Sequence, residues 1–153
     1  GRTLSAFETF DANNIFPVWV GSTNTNGVPA STNPTKKSHV SYWTGSNAGN
    51  MSEKMLVYGG VSEYPPYTYY LDIKFYNPLT NTWEVVNPTG NPPSGRYTQG
   101  SLFTEDKRLF IWGGAYFDSN WAIIYHNTGA IYNVLNNSWT NITTTNAPSA
   151  RVN

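Results

Sequence analysis

The residues best suited to contact a ligand are aromatic side chains concentrated in two short segments. Residues 64–70 read YPPYTYY, and residues 116–121 read YFDSNW. Aromatic rings beside small polar residues suit protein hot spots and stacking against sugars. An equal alternative is that the rings cover sheet edges or fill gaps between packed sheets. The candidate ligand-binding aromatics are Tyr64, Tyr67, Tyr69, Tyr116, Phe117 and Trp121.

Three basic residues form a second candidate set: Lys37, Arg96 and Arg151. Arg96 ends the element PSGR at 93–96, and Arg151 ends PSAR at 148–151. A guanidinium can bind a carboxylate through two parallel hydrogen bonds, so these residues could recognise an acidic group. The recurrence of the element is what a structural hydrogen-bonding role would produce. Both interpretations stay open at the level of sequence.

Residues that could support catalysis form no recognisable set. The two histidines, His39 and His126, lie far apart, and the chain has no cysteine. The absence of cysteine excludes thiolate metal sites, disulfides and cysteine nucleophiles. There is no P-loop, no dinucleotide fingerprint and no metal-ligand spacing, so we expect no cofactor and no catalytic residue. A glycosidase site with two paired carboxylates is not excluded, although nothing in the sequence marks two of the acidic residues as a pair. The acidic residues considered are Asp11, Glu63, Asp72 and Asp118.

Composition limits the class of protein. Of 153 residues, 12% are charged and 16% are aromatic, and the formal net charge is zero. Such a chain carries too much aromatic surface for a disordered tail, and it lacks the basic character of nucleic-acid-binding proteins. No apolar run approaches the length of a membrane span. We expect an extracellular or cell-surface protein, in keeping with acceptor-type glycosylation motifs at Asn50, Asn136 and Asn141.

The chain repeats itself with a period near 55 residues. LVYGG at 56–60 returns as FIWGG at 110–114, and YNPLTNTW at 76–83 returns as YNVLNNSW at 132–139. Within each unit, short β-rich runs alternate with Gly, Pro and Asn turns, which is typical of an all-β protein. A unit of this length cannot bury its apolar faces alone, so we expect copies to stack on one another.

Four strands are predicted for each unit. The first covers 38–43 and 97–103, and the second covers 54–58 and 108–112. The third covers 4–10, 71–76 and 130–132, and the fourth covers 17–20, 82–86 and 138–142. The Asn-rich turns join the third and fourth strands, because Asn tolerates left-handed dihedrals and bonds its own backbone. The double glycine ends the second strand where backbones come close.

A strand ending in Gly-Gly, an aromatic strand, an Asn-rich turn and a tryptophan together resemble the kelch repeat. The resemblance implies blades of four antiparallel strands arranged in a β-propeller, with Trp83 and Trp139 packed between blades. It divides the chain into the end of one blade (1–28), a second blade (29–87), a third (88–143) and the start of another (144–153). These amount to about two and a half blades, fewer than a closed ring requires. We therefore expect a piece of a longer protein or a unit that self-associates through open blade edges.

The resemblance also indicates where function would lie. Loops after the second and fourth strands share one face, which contains both aromatic segments and the basic residues. In kelch propellers that recognise acidic peptides, arginines at this place line the channel mouth. We expect a non-catalytic module that binds a protein or glycan through this face. The alternatives are a structural subunit that assembles through open edges and a non-catalytic part of a carbohydrate-active or oxidase enzyme. The copper site of the related oxidases needs a cysteine, so it cannot be carried over.

Overall fold

The computed structural model describes residues 7–10, 19–22, 38–45, 53–62, 65–80 and 82–152. For 7–10 and 19–22 it describes the strands alone. All the regular elements in this part of the chain are β-strands, as predicted. They are β1 (Phe7–Phe10), β2 (Trp19–Ser22), β3 (Val40–Trp43), β4 (Met55–Tyr58), β5 (Ile73–Asn77), β6 (Thr82–Val86), β7 (Gly100–Phe103), β8 (Arg108–Trp112), β9 (Ala115–Phe117), β10 (Ile123–Tyr125), β11 (Gly129–Asn133) and β12 (Ser138–Ile142).

The strands form two four-stranded antiparallel sheets and two hairpins. The first sheet has the order β3-β4-β5-β6, and the second has the order β7-β8-β11-β12. The hairpin β1–β2 corresponds to the last two strands of such a sheet, and the hairpin β9–β10 lies between β8 and β11 in sequence. This is an all-β fold whose four-stranded sheets are consistent with propeller blades.

Register shows that the sequence repeat is also a structural repeat. Tyr76 is paired with Trp83 in the first sheet, and Tyr132 is paired with Trp139 in the second. In the first hairpin, Phe10 is paired with Trp19. The same aromatic-to-tryptophan pairing therefore occurs between the last two strands of all three units. Cross-strand aromatic pairs of this kind stabilise a sheet.

The core lies between the two four-stranded sheets. Trp139 is 5% exposed, and its ring centroid lies 5.0 Å from that of Tyr58 in the first sheet. The predicted packing of this tryptophan between sheets is thus confirmed. Trp83 is also buried, against Val57 and Tyr76 on the opposite face of the first sheet. The central cluster comprises Leu56, Tyr58, Ile73 and Phe75 from the first sheet and Leu109, Ile111, Ala130, Tyr132 and Trp139 from the second.

The double glycine at the end of β8 is required by close backbone contacts. Gly113 has φ +67°, and a Cβ added there would lie 2.7 Å from the Arg151 carbonyl oxygen. Gly114 has φ +93°, and its Cβ would lie 2.9 Å from the Tyr97 carbonyl oxygen. The predicted reason for this pair, namely a close approach of backbones, is confirmed.

The Asn-rich turns adopt the predicted local geometry. The side-chain oxygen of Asn77 accepts a hydrogen bond from the Leu79 N–H at 2.9 Å, and Asn133 makes the same bond to Leu135. These bonds replace backbone partners that a tight turn leaves unpaired. Both turns therefore set the hairpin registers β5–β6 and β11–β12.

The main difference from the sequence-based prediction is the hairpin β9–β10. Residues 115–123 were expected to form a loop, whereas the chain turns back to pair Ile124 with Tyr116 and Tyr125 with Ala115. In the first unit the corresponding loop makes only an isolated antiparallel bridge, between Val61 and Tyr69, so a repeat-guided assignment predicts a loop here. Nowhere in the described residues is there a helix long and apolar enough to cross a membrane.

Candidate functional site

The aromatic hairpin β9–β10 is closed by one aspartate. An oxygen of the Asp118 carboxylate accepts hydrogen bonds from the N–H groups of Asn120 at 2.8 Å and Ala122 at 2.9 Å. The Asp118 N–H donates to the Ala122 carbonyl at 3.0 Å. Trp121, at the tip, has φ +64° and is 59% exposed. Asp118 is thus a turn-forming residue that presents Trp121 to solvent.

The loop after β4 holds the other predicted aromatics. The Tyr70 N–H donates to the Gly60 carbonyl at 2.9 Å, and the Ser62 N–H donates to the Thr68 carbonyl at 3.0 Å. The Ser62 hydroxyl accepts from the Thr68 N–H at 2.9 Å. These bonds fold the loop back over the sheet end, which places Tyr67 and Tyr69 beside the hairpin β9–β10.

The two segments meet in one set of stacked rings, which we name the aromatic cluster. The ring of Tyr67 stacks on Phe117 at 5.4 Å and meets Trp121 edge-on at 5.8 Å. Tyr69 meets Tyr116 edge-on at 6.3 Å, and its hydroxyl accepts a 2.7 Å hydrogen bond from the Phe117 N–H. The cluster therefore unites five of the six candidate aromatics. Its members are Tyr67, Tyr69, Tyr97, Tyr116, Phe117, Trp121 and His126.

Two members of the aromatic cluster were not among the predicted site residues. Tyr97 lies between the segments, stacked on Tyr69 at 6.3 Å and on Phe117 at 5.8 Å. His126 stacks on Tyr116 at 5.2 Å. Tyr97 falls in a predicted first strand, directly after the repeated element that ends in Arg96, and His126 falls in no predicted site. Burial, followed by the neighbouring tyrosines, raises the pKa of Tyr97 above its ordinary value.

An open groove of about 430 Å³ runs beside the aromatic cluster. Its lining residues come from both loops and from the connection between the sheets: Tyr69, Leu71, Ser94, Gly95, Tyr116 and His126. Burial and the charge of Arg96 lower the pKa of His126 below its usual value, against a hydrogen bond with the Gly95 backbone that raises it. At neutral pH the described side chains that line the groove are therefore uncharged.

Arg96 lies beneath this face, and its side chain is fully engaged in structure. Its Nε donates to the Ser94 carbonyl at 2.8 Å, and Nη1 donates to the carbonyls of Gly113 at 2.8 Å and Thr128 at 2.9 Å. Nη2 donates to the hydroxyls of Ser94 at 3.0 Å and Thr128 at 3.3 Å. A guanidinium has five N–H groups, so the chain itself occupies every donor. The geometry supports the structural role of Arg96 over ligand contact.

Arg151 makes part of the same set of hydrogen bonds as Arg96. Its Nε donates to the Ser149 carbonyl at 3.0 Å, and Nη2 donates to the Ser149 hydroxyl at 3.3 Å. Unlike Nη1 of Arg96, its Nη1 has no hydrogen-bond partner among the described residues. The side chain is exposed. Of the two predicted arginines, Arg151 is therefore the one with donors still available.

The remaining candidates do not join a shared site within the described residues. Lys37, Tyr64, Asp11 and Glu63 lie outside the described residues. Asp72 forms an ion pair with Lys74 at 3.4 Å, and His39 lies exposed just before β3. In the described part of the chain, no three His, Asp or Glu side chains are grouped as a metal site would require.

A buried lysine that the sequence did not point to connects the two sheets. Lys107, in the β7–β8 turn, donates from Nζ to the Thr44 carbonyl at 2.6 Å. Thr44 follows β3 of the first sheet, so the bond crosses the sheet interface. A charged residue in a turn ordinarily indicates a solvated loop.

Comparison with known proteins supports the fold but not a family. No family model matches the chain, and no curated protein matches its sequence. Among solved structures, that of YjhT is similar, with a TM-score of 0.62 and 14% sequence identity over 92% of this chain. The alignment covers 45% of the YjhT chain, so this chain spans about half its length. The likeness establishes the all-β architecture of antiparallel four-stranded sheets.

Proposed function

We propose that the chain is part of a kelch-type β-propeller and binds a protein or glycan ligand through its aromatic cluster. The observation that carries this proposal is the convergence of two aromatic segments, about 50 residues apart in sequence, on one end of the sheets. Loops on a rigid scaffold are the usual position of binding residues. The enzymatic alternative gains no support from the two described candidates, because Asp118 closes a turn and Asp72 is paired with Lys74.

Three repeated features support the kelch assignment. The double glycine has positive φ in both four-stranded sheets, at Gly59 and Gly60 and again at Gly113 and Gly114. The fourth strand of each unit places its tryptophan at the same register position. Each full unit also runs as four antiparallel strands in one sheet, as a propeller blade does.

The chemistry of the aromatic cluster favours an uncharged ligand surface. The described residues that line the adjoining groove are tyrosines, a leucine, a serine, a glycine and a neutral histidine, and none of them carries a carboxylate or ammonium group. Flat, partly exposed rings can stack against the apolar face of a sugar or against apolar and aromatic peptide side chains. The exposed indole of Trp121 and the half-buried ring of Tyr67 are the most accessible pair for such stacking.

The test is a binding screen with two probe sets, a glycan array and a peptide library, followed by affinity measurement on any hit. Trp121→Ala and Tyr67→Ala should each weaken binding about tenfold or more, the loss typical of an aromatic hot spot. Leu135→Ala is the matched control, because Leu135 is an exposed apolar residue in the turn at the opposite end of the second sheet. Binding that survives both aromatic substitutions, or no binding in either set, contradicts the proposal.

Assembly is the second candidate function, and one face of the second sheet favours it. Because side chains alternate along a strand, Phe110 and Trp112 of β8 point away from the first sheet, and both are half-buried. Leu102, which is paired with Phe110, is exposed. In the first sheet, the counterparts of the two β8 residues, Leu56 and Tyr58, are buried by the second sheet. The outer face thus suits packing against a further sheet. If this face is the one used, sedimentation should show species larger than a dimer, and Phe110→Lys should reduce their size.

A further inference from the structure

The strand β10 is an exposed apolar edge that the proposed binding function does not use. Its three residues, Ile123, Ile124 and Tyr125, are 45%, 38% and 49% exposed. It pairs on one side with β9, which in turn pairs with Tyr97 through an isolated bridge to Ala115. The other side of β10 has no strand beside it in the described part of the fold. Such edges are the usual points at which protein chains pair.

The main-chain hydrogen bonds of the hairpin show which groups of β10 point outward. The Asp118 N–H donates to the Ala122 carbonyl, and the His126 N–H donates to the Gly114 carbonyl. Because hydrogen-bonded positions alternate in an antiparallel ladder, Ile124 bonds inward to Tyr116. The N–H and C=O groups of Ile123 and Tyr125 therefore point away from β9. These four groups form the open edge.

We propose that a second copy of this chain pairs with β10 through its own β10, related by a two-fold axis at Ile124. Antiparallel pairing about this axis sets Ile123 opposite Tyr125 of the other copy, and Tyr125 opposite Ile123. The outward N–H and C=O groups then form four hydrogen bonds and none is left over. Ile124 faces its own counterpart across the axis in the closer, non-hydrogen-bonded position. The edge is therefore complementary to itself.

The side chains and charges also match a second copy. An aromatic residue opposite a β-branched residue is a favourable cross-strand pair, and the two-fold axis produces it twice. Residues 119–125 contain no ionisable side chain other than Tyr125 and no Gly or Pro. A charged partner would lose its hydration against this neutral strand without gaining a counter-charge. An isologous contact of this kind closes on itself as a dimer.

A single introduced thiol tests the geometry, because the chain has no cysteine. Facing residues in the non-hydrogen-bonded position have Cα atoms about 4.5 Å apart, within the range of roughly 4.4–6.8 Å that a disulfide spans. Ile124→Cys should therefore form a disulfide-linked dimer with oxidised glutathione as the oxidant. Leu135→Cys is the matched control, since it places a thiol at an exposed apolar position far from β10. Equal cross-linking of the two variants overturns the proposal.

Solution mass provides the second measurement. The unmodified chain should show twice the chain mass by sedimentation velocity, in a concentration-dependent equilibrium with monomer. Ile124→Lys should weaken this association about tenfold or more, because two lysines would face each other across the axis. Far-UV circular dichroism checks that the variant is folded, and Leu135→Lys should leave the equilibrium unchanged. A chain that is monomeric at every soluble concentration overturns the proposed pairing. A dimer whose affinity is unchanged by Ile124→Lys overturns it as well. Both outcomes are separate from ligand binding by Trp121 and Tyr67.

Discussion

Truncation of Trp139 is expected to cost far more stability than truncation of Trp121. Trp139 is 5% exposed and contacts the rings of Tyr58 and Tyr132 at 5.0 and 5.3 Å. Trp121 is 59% exposed and contacts the rings of Tyr67 and Phe117 in the aromatic cluster. The comparison therefore separates a residue of the sheet interface from a residue of the proposed binding face.

The magnitude follows from burial and from the indole N–H. Replacing a buried tryptophan with alanine costs about 3–5 kcal/mol, and ring contacts on two sides place Trp139 in the upper part of that range. Its Nε1 is buried without a hydrogen-bond partner among the described residues, which destabilises the folded state. Removing the indole removes this penalty and offsets part of the loss of stability. We expect a loss of about 4 kcal/mol for Trp139→Ala. The exposed Trp121 should lose about 1 kcal/mol or less.

The assay is urea unfolding followed by far-UV circular dichroism, since tryptophan emission would change with the substitutions themselves. Trp139→Ala should strongly lower the urea concentration at the unfolding midpoint and leave the slope m unchanged, whereas Trp121→Ala should lower that concentration only slightly. Domains of this kind are stable by about 5–15 kcal/mol, so the first loss is a large fraction of the total. Equal losses for the two variants would mean that the aromatic cluster is a structural core, and the binding proposal for Trp121 would be wrong.

Three further outcomes test the structural roles assigned above. Arg96→Lys should cost about 2–3 kcal/mol, because buried carbonyls lose charged donors, while the exposed Arg151→Lys should cost about 0.5 kcal/mol or less; equal costs in urea unfolding would contradict this. The lowered pKa of His126 means that the folded state binds fewer protons than the unfolded state, so stability is complete above about pH 6.5 and falls as pH decreases below it. In His126→Gln, the thermal unfolding midpoint should depend less on pH over this range. A pH dependence equal to that of the unmodified chain would refute the assignment. Lys107→Met should cost about 1–3 kcal/mol by leaving a buried carbonyl unpaired, and an unaltered urea midpoint would count against the bond.

The strands were predictable because each depends on neighbours within its own repeat. Thr82–Val86 and Ser138–Ile142 match the predicted runs residue for residue, since a tryptophan and an Asn-rich turn fix both. The run at 97–103 is shorter in the structure, as Gly100–Phe103, because Tyr97 leaves the sheet to pair with Ala115. That pairing depends on the hairpin β9–β10, which the four predicted strands of the repeat do not include.

The candidate site was predictable in composition but not in arrangement. Aromatic residues in two loops indicated a possible binding face, and the structure brings Tyr67, Phe117 and Trp121 into contact. The sequence could not decide between the two roles of Arg96, since the same motif serves either. The structural role is supported by Thr128, whose carbonyl and hydroxyl accept hydrogen bonds from Arg96. Thr128 lies 32 residues away in sequence and contacts Arg96 only in the folded sheet.

The base of the hairpin β9–β10 has a practical consequence for protein engineering. The Gly113 N–H donates to the Thr128 carbonyl at 3.1 Å, and Arg96 binds the carbonyls of both residues. The ladder between β8 and β11 continues without a break below this point. The two ends of the insertion are therefore held together by groups that do not depend on the sequence between them. Residues 115–127 form a natural graft position, where a foreign loop can be exchanged while the sheet beneath stays intact.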